Sequence, residues 1–282
     1  MTYETSPSTS TGSVRRLTLP KIGFGTARLG GNRFPNRSKR EYFLSALRST
    51  FELGYTHFDT AETYARGYAE ELIGHAIREL KIEREKNFIT SKVALGHLSY
   101  NKTLRACENS LRRLGTEYLD LYLIHFPNPF ASLKETFRAL NQLVREGKVR
   151  NLGVSNFNLK QLKNAQSLSE TPIITNQVPY NIFFRAFAQN GVLEYCQQND
   201  ILLTAYMPVK INSKGIRTNS IIQSVAQAHR VTPYQIALAW LAAQPRVITI
   251  PQSFNPQHQE ENLEAAQIEL TQVEMDQLNR LG

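Results

Sequence analysis

The sequence predicts an α/β fold made of one domain, a (β/α)8 TIM barrel preceded by an N-terminal β-hairpin. Three observations predict it. From Ile22 onward eight strand-like runs occur, each followed by a stretch with helical spacing. Strict alternation of this length implies parallel strands joined by right-handed crossovers. The chain has 282 residues and no Pro/Gly-rich linker, which suits one barrel of about 250 residues better than two domains. An open doubly wound sheet would show a glycine fingerprint at its first turn. Gly23-Phe24-Gly25-Thr26-Ala27-Arg28 begins like one, but Arg28 stands where the third glycine belongs and no helical pattern starts there.

Taken in order, residues 1–12 are Ser/Thr-rich and read as a flexible tail, which leaves 13–282 for the barrel. Residues 13–20 alternate like a short hairpin, and 22–26 form the first strand. Residues 39–53 carry Phe43, Leu44, Leu47 and Phe51 at helical spacing, with Gly54 where a C-cap belongs. Strands follow at 55–59, 88–92, 119–125, 148–155, 173–178, 201–206 and 247–250. Helices are expected at 69–80, 101–114, 133–145, 159–168, 191–199, 220–229, 233–243, 256–266 and 271–281. The run 119–125 is almost continuously apolar, as in a strand buried on both faces.

A hydrophobic fraction of 41% and a charged fraction of 20% describe a globular protein with ample core. No apolar run approaches the ~20 residues of a membrane span. The first residues lack the basic and apolar regions of a secretory signal, so a cytoplasmic location and no membrane partner are expected. Cys107 and Cys196 lie far apart and read as buried free thiols. The net charge of +9 is dispersed rather than gathered in a run. That argues against nucleic acid and favours small anions such as phosphorylated cofactors.

In a barrel the chemistry gathers where strands end, at the C-terminal mouth. Asp59, Lys92 and His125 end the second, third and fourth barrel strands, and Tyr64 follows Asp59 in its loop. No Cys/His cluster or HExxH suggests a metal, no GxxxxGK[ST] a P-loop, and no G-x-S-x-G a serine nucleophile. A phenol of ordinary pKa near 10 is a poor proton donor at neutral pH. A neighbouring ammonium is expected to lower that value, with a carboxylate keeping the ammonium charged. Such a tuned acid can protonate a developing alkoxide, and an imidazole N–H can orient the carbonyl oxygen. The attacking group is missing from these side chains, which points to a hydride-carrying cofactor. His57 shares the strand face of Asp59 and reads as a packed core histidine. His75, His97 and His229 read as surface or helix residues without a chemical role, and Trp240 as core.

From about Leu19 onward the chain resembles the aldo-keto reductases, in their short form without a long C-terminal loop. The resemblance rests on Gly23-Phe24-Gly25-Thr26, Asp59-Thr60-Ala61-Glu62-Thr63-Tyr64, Glu70-Glu71-Leu72-Ile73-Gly74 and Thr90-Ser91-Lys92. It continues in Leu119-Asp120-Leu121-Tyr122-Leu123-Ile124-His125-Phe126-Pro127, the run from Gly147 through Ser155-Asn156-Phe157, Asn176-Gln177 and Ile250-Pro251. It implies NAD(P)H-dependent reduction of aldehydes, ketones or sugar carbonyls. Tyr64 would be the general acid, Lys92 held by Asp59 its tuner, and His125 the group that positions substrate oxygen. Ser155, Asn156 and Gln177 match positions that hold the nicotinamide carboxamide, and Tyr206 the aromatic that stacks on its ring. Thr26 and Arg28 match positions near ring and pyrophosphate. Gln252, Ser253, Phe254, His258, Glu261 and Asn262 fall at the adenosine end. Phe24, Phe126 and Phe130 are the expected substrate walls, and a monomer is expected.

The departures bear on specificity. Gln252 and His258 stand where NADPH-preferring members carry Lys and Arg around the 2′-phosphate. A weakened NADP(H) preference with NAD(H) usable is therefore expected, unless Lys210, Lys214 or Arg217 compensate. Met207 follows Tyr206 where a serine is common, and Phe126 stands where many members have tryptophan. Some members of this fold are instead cofactor-binding regulatory subunits of potassium channels with little turnover. A lyase using Lys92 as a Schiff base lacks the expected glycine-rich phosphate loops after the seventh and eighth strands.

Overall fold

The computed structural model describes residues 11–14, 17–210 and 212–282. An antiparallel hairpin, β1 (Thr11–Val14) and β2 (Leu17–Pro20), comes first. Eight strands follow: β3 (Phe24–Gly25), β4 (His57–Asp59), β5 (Phe88–Val93), β6 (Leu119–Ile124), β7 (Val149–Ser155), β8 (Ile173–Pro179), β9 (Leu202–Tyr206) and β10 (Val247–Thr249). Each pairs in parallel with the next. The sheet then closes on itself. Ile22 bridges Thr249, Gly23 N donates to Thr249 O at 2.8 Å, and Gly25 N donates to Pro251 O at 3.0 Å. A side chain at Gly25 would stand 2.5 Å from Ile250 O, so the seam needs a residue without Cβ. The predicted barrel is the observed one.

The hairpin stoppers the barrel. Leu19 packs with Leu121, Leu123, Ile174, Leu202 and Ile248, a cluster of inward-facing residues from four staves. The tail boundary needs one correction: β1 opens at Thr11, inside the segment expected to be tail, because Thr11 and Gly12 pair with Pro20 and Leu19. The rest of that segment lies outside the described residues.

The helices form the outer layer and start and stop for local reasons. The helix Leu159–Leu168 is opened by a capping box between Asn158 and Gln161, and Pro233–Ala242 by one between Thr232 and Gln235 with proline at its first position. Trp240 is core, as expected, its Nε1 donating to Asn279 Oδ1 at 2.8 Å. Two short helices in βα-connections, Ala186–Gln189 and Ser213–Thr218, escape the sequence reading. Four to six residues carry too little periodicity to be seen.

Candidate active site

Asp59 and Lys92 meet where β4 and β5 end, and both side chains are essentially out of water. Lys92 Nζ donates to Asp59 Oδ1 at 2.5 Å, to Thr60 O at 2.8 Å and to Tyr64 Oη at 3.4 Å. The second oxygen of Asp59 accepts from Gln177 Nε2 at 2.8 Å, and Thr26 Oγ1 donates to Asp59 O at 2.8 Å. Pairing together with hydrogen bonds on both oxygens is what keeps a buried carboxylate and ammonium charged. Burial is the largest influence on the Lys92 ammonium and works against it, but the charges and hydrogen bonds of Asp59 and Tyr64 together outweigh it and hold the pKa above its ordinary value.

Tyr64 departs from expectation. Burial pushes its phenol upward, against the pull of Lys92. The reason is geometric: the ammonium that should lower it is already compensated by Asp59, and lies 0.9 Å closer to that carboxylate than to the phenol. At rest Tyr64 is therefore a firmly protonated donor. Its loop is turned by consecutive left-handed residues, Ala65, Arg66 and Gly67 at φ 45°, 55° and 88°. Such conformations cost non-glycine residues roughly 1–2 kcal/mol each. The loop is also stapled to the next one. Glu62, beneath the surface, accepts from Ala94 N at 2.6 Å and pairs with His97 Nδ1 at 3.0 Å, which gives His97 a partner that the sequence reading did not foresee.

His125 follows β6, its ring 5.7 Å from that of Tyr64 and 3.4 Å from Thr63 Oγ1 through Nδ1. Burial and the nearby Lys92 charge lower its pKa to about 3, so it is a neutral imidazole at physiological pH. Phe126 stacks on it at 4.9 Å and 25°.

These groups line a cavity of about 440 Å3, within the size range of cofactor and ligand sites. Its wall includes Thr26, Arg28, Asp59, Tyr64, His125, Phe126, Ser155, Asn156, Gln177, Tyr206 and Gln252. Ser155 Oγ donates to Gln177 O at 2.8 Å, Asn156 Nδ2 to His125 O at 3.1 Å, and Tyr206 Oη to Asn156 Oδ1 at 2.8 Å. Asn156 holds a left-handed φ of 64°, which asparagine tolerates better than most residues. Gln252 Oε1 accepts from Arg28 N at 3.3 Å, while its Nε2 is buried without a partner among the described residues. That orphan donor, and a hydrogen-bonded amide set beside a half-buried tyrosine ring, fit a planar amide-bearing cofactor with a charged tail.

Two expected substrate walls are elsewhere. Phe24 is buried behind the sheet, edge-on to Tyr55 and Phe58. Strand alternation explains it: Gly25 pairs with Asp59 and faces the cavity, so Phe24 pairs with Phe58 and faces the helices. Phe130 is 97% exposed and borders a neighbouring groove with Leu95 and Tyr100. Ser253, Phe254, His258, Glu261 and Asn262 do not line the cavity but continue from Gln252 along a loop and the helix Pro256–Glu264. Phe254 packs on Tyr42 and Phe43, Glu261 accepts from Gln257, and His258 is exposed. The cavity also draws on Pro208 and Val209, which no sequence signal marks, and on Ala27, Met207, Lys210 and Pro251.

Fold and site together define a barrel oxidoreductase with a hydrogen-bonded Tyr–Lys–Asp set beside a neutral histidine. The chain belongs to the aldo/keto reductase family, whose model matches residues 21–282. It is 36% identical over 268 residues to a methylglyoxal reductase of Escherichia coli K12, covering 94% of this chain and 91% of that one. A glyoxal reductase of Bacillus subtilis is 36% identical over 237 residues, 84% of this chain and 82% of that one. Among solved structures, a thermostable aldo-keto reductase in complex with the inhibitor epalrestat superposes with a TM-score of 0.92 at 43% identity, covering 96% and 99% of the two chains. An aldo/keto reductase of Klebsiella pneumoniae in complex with NADP and acetate gives 0.87 at 36%, covering 97% and 95%.

Proposed function

We propose that this protein reduces small reactive carbonyl compounds, 2-oxoaldehydes of the methylglyoxal type among them, to alcohols with a nicotinamide cofactor, and that Tyr64 is the general acid. The observation that carries the reading is Lys92 Nζ donating at once to Asp59 and to Tyr64 at the wall of the cavity. The substrate class is supported by the glyoxal and methylglyoxal reductases among the relatives and by an opening edged by Phe126 and Met207, both partly exposed.

Ser155, Asn156, Gln177 and Tyr206 would hold the nicotinamide end, Thr26, Arg28 and Lys210 the pyrophosphate, and Gln252 through Asn262 the adenosine end. When bound, the cofactor supplies hydride to the carbonyl carbon. Neutral His125, whose Nε2 makes no hydrogen bond among the described residues, orients the carbonyl oxygen toward the phenol. Tyr64 Oη gives its proton to that oxygen as negative charge develops there. Lys92 then stabilises the phenolate, and Asp59 keeps Lys92 charged through the cycle. Gln177 has two tasks, because the amide that fixes Asp59 belongs to a residue on the cofactor wall. The protein acts as a monomer in the cytoplasm in this reading.

Tyr64→Phe tests it, with methylglyoxal and NADPH consumption as the readout. The expected drop in kcat is roughly 10²–10⁴-fold with an unchanged thermal midpoint. A variant that turns over as fast as wild type removes Tyr64 from the chemistry.

A further inference from the structure

Away from the barrel mouth, the helical layer holds a groove of about 470 Å3. It lies between the start of the helix Arg40–Glu52, the helix Tyr68–Glu79 and the end of the helix Tyr100–Leu114. Five arginines line it, Arg37, Arg40, Arg78, Arg112 and Arg113, against one carboxylate, Glu71. The mechanism uses none of them.

Two of these cations are compensated. Arg37 is 3.6 Å from Glu71 and lies over the Tyr68 ring at 4.5 Å. Arg113 donates to the buried Glu70 at 2.6 Å and to Ser110 Oγ at 3.2 Å. Among the described residues Arg40, Arg78 and Arg112 form no ion pair, although Arg78 donates to Leu114 O at 3.5 Å and Arg112 to the Asn109 side chain. A concave wall of one charge sign focuses its field into the cavity and concentrates counter-ions there. Part of the wall is held in place before any ligand arrives. A Cβ at Gly67 would stand 2.5 Å from Arg113 Nε, and one at Gly115 would collide with the Arg78 guanidinium.

We propose that this groove binds a small anion carrying more than one phosphate group. The guanidiniums come from separate segments and approach from several directions. A carboxylate offers oxygens in one plane, whereas phosphate groups present acceptors in three dimensions, and the guanidinium fork matches them in pairs. A bounded concavity between three helices fits a small molecule, where a nucleic-acid strand would call for an extended stripe.

Calorimetry with inorganic pyrophosphate tests the site on the full chain, with no nucleotide added, at ionic strength fixed with sodium chloride. The expected result is one saturable site, with orthophosphate and citrate each at least fivefold weaker. Arg40→Gln with Arg112→Gln should raise Kd at least tenfold while kcat and thermal midpoint hold. Absence of saturable binding, or the same Kd in the double variant, overturns the site. Citrate binding as tightly as pyrophosphate overturns its assignment to phosphate. Because Arg40 and Arg112 lie outside the catalytic cavity and the readout is binding, it stands or falls independently of Tyr64.

Discussion

Two buried aspartates of this barrel differ in what lies beyond their cations. Asp120, in β6, accepts from Arg84 at 2.6 Å, from Ile89 N at 2.9 Å and from Arg150 at 3.4 Å. Arg84 in turn is satisfied by Thr116, Asn87 O and Tyr118 O, so its donors all end on protein acceptors. Asp59 makes an equally close pair with Lys92, but the remaining reach of Lys92 goes to Tyr64 and so to the cavity. Similar chemistry becomes structural when every donor finds a protein acceptor. It becomes a candidate machine when one donor is left facing space that a substrate can fill. The buried histidines repeat the contrast. His57 bonds Thr90 at 3.2 Å and sits edge-on to Phe88, while His125 opens on the cavity.

The strongest way to break this comparison is to remove one cation from each network. Lys92→Met is expected to lower kcat roughly 10²–10⁴-fold, in line with loss of acid catalysis. Steady-state rates that stay within threefold of wild type would show that the Asp59 network is as structural as the other. Arg84→Met should instead cost about 1.5–3 kcal/mol of stability, because it removes the shorter charged hydrogen bond of Asp120 and leaves only the longer contact to Arg150. Denaturant melts would show this loss, with kcat of the folded protein changed less than threefold.

A smaller effect separates the histidines by pH. Both are held below the ordinary value of about 6.5, His57 at about 4 by burial, offset in part by Asp59, and His125 at about 3 by burial and Lys92. Between those values and 6.5 the unfolded chain binds protons that the native chain refuses. Stability is therefore lost as pH falls from about 6.5 toward 4, with a slope of about 1.4 kcal/mol per pH unit for each histidine. His57→Gln should flatten the slope of unfolding free energy against pH by one proton's worth, and an unchanged slope would contradict its buried neutral state. Over pH 5.5–8.5, by contrast, kcat should stay flat because neither His125 nor Tyr64 titrates there. An inflection near 6.5 that vanishes in His125→Gln would show that the imidazole is charged during turnover.

The smallest expected effect concerns the cofactor. Gln252 is bonded to Arg28 N and carries no charge, so the ratio of kcat/KM for NADPH over NADH should stay below a hundredfold. Gln252→Lys should raise that ratio about tenfold by supplying a charge-assisted bond to the 2′-phosphate. Parallel assays with both cofactors decide it.

Much of this was legible in the residues, for physical reasons. Eight apolar runs alternating with helical spacing admit few packings other than a closed parallel barrel. A barrel brings strand ends together, so Asp59, Lys92 and His125 could be assembled on paper with Tyr64. The errors show where periodicity stops being informative. Phe24 was placed in the pocket by its chemistry, and one step of strand alternation turned it outward. Phe130 lies in a loop, where no periodicity constrains direction.

The sequence by itself determined the barrel, its family and the four residues at its mouth, because burial patterns and residue types act locally and repeat along the chain. Only the tertiary structure decided that Gln177 fixes Asp59 across 118 positions, that Glu62 ties two loops of the barrel mouth together, and that the Tyr64 phenol is pushed up rather than down. It also decided that five arginines scattered along three segments share one groove. Those outcomes depend on distances between groups remote in the chain and on how much water reaches them, and neither quantity is written in the order of residues.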